Sequence, residues 1–355
     1  MIKKLPLCAL ALASAAALCS TPVLADEITV TAWGGAYTKS QEEAYYKPFT
    51  AKTGTKVAIQ DYNGDLAEIS AQVKTGNVKW DVVDVELAEA IKGCEEGLFE
   101  KIDAARLPAG DNGTAATKDF APGLLTPCAA ATILYSNVVA YDKAKLGDKG
   151  PKSLNDYFDL VRFPGKRGMR KNPSVNMEWA LMADGVAPAD VYKVLATPAG
   201  VDRAFKKLDT IKSSVVWWTA GAQPPQLLAS GEVVMTSVYH GRIYDANMKD
   251  KRNFALVWDG QVQVPDLFVV VKGTKNSAAA QEFVRFATSS SALAEQAKYI
   301  PYAPARASSL AHIPAATKEW LPNGGHAGRQ MLTSAEFWSE YGDDLNKRFS
   351  AWLAK

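Results

Sequence analysis

From residue 28 onward, short apolar runs of about five residues alternate with longer stretches whose apolar positions recur at helical spacing. The pattern predicts strands at 28–32, 56–62 and 80–85 and helices at 39–53, 66–75 and 87–96, the helices stopped by Gly54, Gly76 and Gly97. Strand and helix in strict alternation predict an α/β fold, a sheet covered by helices. The ligand crevice of such sheets lies at the carboxyl ends of the strands. The turns Trp33-Gly34-Gly35, Asn63-Gly64-Asp65 and Glu86 are therefore the first places to look. A second unit opens at SLNDYF (153–158), with helices at 177–184, 188–196 and 200–207, strands at 232–238, 254–258 and 267–271, and a helix at 243–251. From 278 on the pattern is mostly helical, interrupted by Pro301, Pro304, Pro314 and Pro322. Trp217 and Trp218 are neighbours on a predicted strand and face opposite sides, so at most one of them, Trp218 in our assignment, lines a cleft.

Ahead of this pattern, Lys3 and Lys4 precede an apolar run from Leu5 to Leu18 and a Val23-Leu24-Ala25 box, the form of a secretory signal. Cleavage is expected after Ala25, giving an exported, periplasmic product. An uncleaved anchor is the alternative, disfavoured by the polar break Ser20-Thr21-Pro22; Leu18 before Cys19 speaks against lipid attachment. Lys3 and Lys4 are the only charges in 1–25, so processing takes the net charge from +2 to 0 (2 − 2). Such a chain has no basic excess for nucleic acid or an anionic membrane. No second run of membrane-spanning length follows, so no membrane insertion is expected after cleavage. The remaining 330 residues (355 − 25) exceed what one core usually supports and suggest two domains. Only Cys94 and Cys128 survive processing, and in an oxidising compartment they are expected to pair; two buried thiols are the alternative.

Motifs for catalysis are thin. The sequence has no G-x-S-x-G elbow, no H-E-x-x-H and no Walker motif, and His240, His312 and His326 are scattered. Neither an enzyme nor a cofactor or metal is expected.

Six segments, ITVTAWGGAY, WDVVDVELAEAIKGCEEGLFEKID, SLNDYFDLVRFPGKRGMR, GAQPPQLLASGEVVMTSVYHGR, VPDLFVVVKGTKN and YIPYAPAR, occur in an order and content that resemble the periplasmic solute-binding proteins of ABC importers, specifically the spermidine/putrescine-binding family. The resemblance covers nearly all of the mature chain. It implies a type II two-lobed fold, each lobe a sheet flanked by helices, joined by crossover strands: lobe one at 26–132 plus 252–290, lobe two at 136–250 plus 291–355. It further implies a monomer that closes on a small ligand and docks on an inner-membrane permease.

The family's polyamine sites carry several carboxylates because each buried ammonium needs an anion. This chain departs from that pattern. Gly34-Gly35-Ala36 follow Trp33 where polyamine binders place an acid, Arg242 stands where putrescine binders have one, and 172–175 is uncharged. Asp266 persists where the family holds an amine, and Tyr302 persists beside it. An arginine grips a carboxylate bidentately, so Arg242 with Asp266 describes a zwitterion with separated ends, such as 4-aminobutyrate, which a branch of the family binds. A polyamine held by Asp266, Glu86 and Asp84, with Arg242 turned away, is the alternative. A ferric receptor built on Tyr299 and Tyr302 is a further one.

Each candidate has a structural reading as well. Arg242 could pair with Asp245, Asp266 could cap a turn after Pro265, Trp33 could be core, and Glu86 could be the N-cap of the helix after it. Gly34 and Gly35 would bring backbone N–H groups to the ligand. Tyr239, Phe268 and Tyr302 would complete an aromatic box around the ammonium. His240, beside Arg242, is expected near the ligand. Lys166 and Arg167 read as a solvated turn; Arg170 is harder to dismiss but is not expected in the site.

Overall fold

The computed structural model describes residues 27–355 except Asp65; the signal segment and its cleavage site lie outside the described residues. Ten strands form one sheet: β1 (Glu27–Ala32), β2 (Lys56–Asp61), β3 (Val82–Glu86), β4 (Ala129–Asp142), β5 (Arg167–Arg170), β6 (Val215–Trp218), β7 (Met235–Tyr239), β8 (Phe254–Val270), β9 (Ala303–Pro304) and β10 (Gln330–Leu332). The order is β2-β1-β3-β8-β4-β7-β5-β6, with β9 beside β4 and β10 beside β8. β1 runs parallel to β2 and β3, and β5 parallel to β6 and β7, while β8 and β4 are antiparallel to each other and to β3 and β7 respectively.

β4 and β8 are long because each serves both lobes. Ala129–Ala131 pairs with Leu267–Val269 beside β3, and Val139–Asp142 pairs with Phe254–Val257 beside β7. Register shifts in between mark the crossing, and irregularities of this kind re-aim side chains. The sequence pattern predicts 254–258 and 267–271 as separate strands and no strand at 129–142. The interval is missed because Gly260, Gln261 and Gln263 read as a break, whereas the strand continues through them.

Two hydrophobic cores flank the crossing. One gathers Val30, Phe49, Val83, Leu267, Phe268 and Phe283; the other gathers Leu154, Tyr157, Trp179, Met235, Leu345 and Phe349. The expected lobe boundaries part from this packing in two places. Val257 and Val262, at the start of β8, pack with the second core, while Ala292, Leu293 and Ala305 pack with the first. A boundary drawn through sequence cannot follow strands that cross, nor a tail that returns to the first lobe before helix Ala335–Leu353 seals the second.

The expected helix at 39–53 is a continuous helical stretch from Gly35 to Thr53 with a π segment, Glu42–Tyr46, inside it. The helix after β7 begins at His240 rather than 243. Cys94, on helix Leu87–Glu95, is bonded to Cys128 just before β4, so the expected pairing holds.

Arg167 corrects the solvated-turn reading. It is fully buried and donates to the carbonyls of Tyr157, Asp159, Phe163 and Gly165, tying the preceding loop to β5. A guanidinium satisfied by four carbonyls is a structural clamp.

Candidate functional site

Between the two cores lies a third cluster, built around Tyr37, Tyr135, Trp218, Tyr239 and Tyr302. Seven residues of this region, Trp33, Tyr37, Tyr135, Tyr239, Arg242, Asp266 and Tyr302, enclose a cavity with about 10 Å³ open to the centre of a water-sized sphere, room for about one water. Strand ends, the crossing strands and two helix starts supply them. Trp33 follows β1, Tyr239 ends β7, Tyr135 and Asp266 come from the crossing strands, and Arg242 projects from the first turn of helix His240–Lys249. The turn after Trp33 needs its glycines. Gly34 and Gly35 have φ of 71° and 59°, and a Cβ on Gly35 would stand 2.9 Å from Arg242 Nη1.

Arg242 is 3 % exposed and crosses from the second lobe to the first. Its Nη1 donates to the Gly34 carbonyl at 2.6 Å and its Nη2 to the Trp33 carbonyl at 3.3 Å, while its Nε has no protein partner. Asp266, equally buried, leaves Oδ1 without a partner. Burial drives the Asp266 pKa well above the usual carboxylate value, and Asp84, Glu86 and Glu89 add to the shift; Arg170 opposes it. Asp84 is pushed up to about 7 by burial, against hydrogen bonds from Tyr37 and Gln41, and Glu89 to about 8 by burial and Glu86. One face of the region is thus an excess of buried carboxylate, answered from the other lobe by two guanidinium groups, Arg170 and Arg242. Asp266 and Arg242 line one pocket, and each keeps a buried polar atom without a protein partner, an arrangement that suits a ligand carrying both charges.

Residues 44–323 match the model of the bacterial extracellular solute-binding protein family. The chain belongs to this family. It is 45 % identical over 329 residues to the gamma-aminobutyric acid-binding protein of Pseudomonas aeruginosa, an alignment covering 92 % of this chain and 91 % of that one. Among solved structures it resembles MotA of A. tumefaciens B6 in complex with glucopine, at a TM-score of 0.85 and 27 % identity over 92 % of this chain and 99 % of that one. It also resembles a GABA receptor, at 0.80 and 34 % over 93 % and 98 %. The two-lobed architecture expected from the sequence is that of these solute-binding proteins.

Of the residues expected to serve this solute-binding protein, Trp33, Tyr239, Arg242, Asp266 and Tyr302 are brought together around one cavity. Trp218 stands behind Tyr239, ring centroids 5.7 Å apart, while Trp217 turns to Phe349 and Trp352 in the second core. Glu86 is beside the cavity and not a side-chain cap. Its Oε1 accepts from the Tyr135 hydroxyl at 2.9 Å and from Arg170 at 3.2 Å. Asp245 pairs with Lys249 and not with Arg242.

Three expectations are corrected. Phe268 is fully buried against Tyr45 and Phe283 in the first core; it shares a face of β8 with Asp266, two residues before it, but stands one pair further into that core, opposite Asp84, and does not line the cavity. The Gly34 N–H is donated to Thr38 Oγ1 and its carbonyl accepts from Arg242, so Gly34 does not offer its amide to a ligand. His240 is structural. Its Nδ1 accepts from the Ser136 N–H, which leaves Nε2–H to donate to the Pro301 carbonyl, and burial lowers its pKa to about 4. Tyr299 is 41 % exposed whereas Tyr302 is buried in the cavity wall, so the two hydroxyls of the ferric reading do not form a pair.

Tyr37 and Tyr135 were not singled out from the sequence, and Arg170 was not expected in the site. Tyr37 follows the glycine turn by two residues and could have been found by treating the turn and first helical turn together. Tyr135 belongs to the unpredicted strand β4.

Proposed function

We propose that this protein is the periplasmic solute-binding component of an ABC importer and that its ligand is a small ω-amino acid, 4-aminobutyrate first of all. The observation that carries the reading is the pair of unpartnered groups in one pocket, Asp266 Oδ1 and Arg242 Nε. An ammonium supplies the donor that Asp266 lacks and a carboxylate supplies the acceptor that Arg242 lacks, so each buried group is satisfied only by a ligand with one charge of each sign. Tyrosine and tryptophan faces enclose the methylenes between them. The Pseudomonas aeruginosa relative and the solved receptor named for gamma-aminobutyric acid support the same assignment.

The polyamine alternative draws on the extra acids Asp84 and Glu86. Both are already engaged, Asp84 by Tyr37 and Gln41 and Glu86 by Arg170 and Tyr135. Capture proceeds without chemistry. The lobes part, the zwitterion binds across them, and the closed form docks on an inner-membrane permease that draws energy from a separate ATPase. After cleavage behind Ala25, the protein acts as a soluble monomer.

Isothermal titration of ligand-stripped residues 26–355 with 4-aminobutyrate and, separately, with putrescine tests the reading. Saturable binding of 4-aminobutyrate with at least hundredfold weaker putrescine binding is expected. The reverse order would establish the polyamine reading instead, and silence from both would discard the ligand assignment.

A further inference from the structure

The ion pair of Arg170 and Glu86 lies outside the seven residues that enclose the cavity, yet it touches three of its walls. Arg170 ends β5 in the second lobe and Glu86 ends β3 in the first, so their contact crosses between lobes. Arg170 Nη1 donates to Glu86 Oε1 at 3.2 Å, and the same oxygen accepts from the hydroxyl of the cavity residue Tyr135. The guanidinium carbon stands 5.8 Å from the ring centroid of Trp33 and 5.9 Å from that of Tyr239, both cavity walls. The two side chains are 14 % and 15 % exposed, so the pair is mostly out of water.

Glu86 also borders a separate and larger groove of about 460 Å³, whose lining includes Glu89, Lys92, Asn172 and Trp338. Glu86 on the groove side, bonded to Tyr135 on the cavity side and held by Arg170, therefore stands between the aromatic cavity and this groove. The partition bears on ligand charge. Asp266 provides an anion for one ammonium. Glu86 faces it across the β3–β8 register and is the next carboxylate along the strand pair. A diamine anchored at Asp266 and reaching toward the groove would need that second anion, and Arg170 already holds it. The guanidinium would in addition repel the second ammonium at close range in a poorly hydrated setting.

We propose that Arg170 is a specificity-determining residue: by holding Glu86 across the lobes it closes the groove end of the cavity to a second ammonium and so sets the preference for an ω-amino acid over a diamine. This rests on the zwitterion reading of the cavity.

The experiment is titration of Arg170→Met with putrescine and 4-aminobutyrate beside the unsubstituted protein. Putrescine affinity is expected to rise at least tenfold, because Glu86 is released as a second anion. Arg170→Lys keeps the charge and is expected to keep the discrimination against putrescine. The double variant Glu86→Gln/Arg170→Met is expected to lose the gain, which separates a freed anion from a merely widened cavity.

Arg170→Met that melts cooperatively and binds putrescine no better than the unsubstituted protein would overturn the proposal, as would a gain that survives in the double variant or appears equally in Arg170→Lys. The underlying reading fails by a different sign: unsubstituted protein that takes putrescine tightly and ignores 4-aminobutyrate, which would overturn both.

Discussion

At the scale of single residues, charge balance decides what the cavity accepts. Asp266 has its pKa raised by burial and by neighbouring acids, so in the free protein it holds its proton above the usual carboxylate range. An arriving ammonium favours the ionised form, and binding must therefore release that proton whenever the pH lies below the raised value. The sign follows: affinity for 4-aminobutyrate falls as pH is lowered through the free-state pKa of Asp266 and levels off above it. Titration in buffers of different ionisation enthalpy should show proton release at the low end of this range, and Asp266→Asn should abolish both the release and most of the affinity. A pH-independent affinity with no proton release would show that Asp266 does not face the amine. Arg242 and Asp266 were legible in the sequence because each departs from or keeps a charge that the ligand's own charge requires. Arg167 was not: two adjacent cations after a Pro-Gly turn look solvated, and only the surrounding carbonyls reveal that one is buried.

Elements were legible where their periodicity was complete within one core. Strands β1 and β3 are short apolar runs buried in the first core, β2 is an edge strand beside β1, and the helices after them each bury residues of one face, so run length and helical spacing both show in the sequence. β4 and β8 were harder because they serve two cores in succession and are buried on both faces over most of their length, so no alternation marks them as strands. Loss of Tyr135 from the expected site is a direct consequence. The disulfide belongs to this scale, since it ties helix Leu87–Glu95, which begins directly after Glu86, to the start of β4. Closing a loop of 34 residues removes unfolded-state entropy worth about 4 kcal/mol in the chain-entropy model. The double substitution Cys94→Ser/Cys128→Ser should lower the stability by roughly 2–4 kcal/mol, read as an earlier midpoint in denaturant, with a steeper slope because the released unfolded chain exposes more surface. Reduction of the unsubstituted protein should reproduce it. A midpoint that does not move would mean that the bond adds nothing to the stability of the fold.

Across the whole molecule, the lobes meet through three ion pairs or clamps of unequal worth. Lys92–Asp343 joins helix Leu87–Glu95 to helix Ala335–Leu353, but Asp343 is 72 % exposed, and pairs of that kind contribute about 0–1 kcal/mol. Arg170–Glu86 and the Arg242 clamp on the Trp33 and Gly34 carbonyls are mostly or wholly buried and sit at the cavity itself. The buried contacts between the lobes thus lie at the cavity, and on the proposed function closure is expected to respond there rather than at the rim. With only about 10 Å³ open inside, the cavity must widen to admit a ligand of amino-acid size, and widening means breaking the Arg242 contacts across the lobes. A ligand that re-forms the bridge through Arg242 and Asp266 favours the closed form by its differential affinity for it. Two consequences are measurable on one sample of residues 26–355. The radius of gyration from solution scattering should decrease on saturation with 4-aminobutyrate, and at about 100 times Kd the added stability of about 2.7 kcal/mol should raise the melting midpoint on the order of 4 °C for a chain of this size. Lys92→Ala should leave both changes intact, because its pair lies in water, whereas Arg242→Ala should remove both. If Lys92→Ala abolished the compaction and Arg242→Ala did not, closure would be governed at the rim, and the cavity clamp would have no part in it.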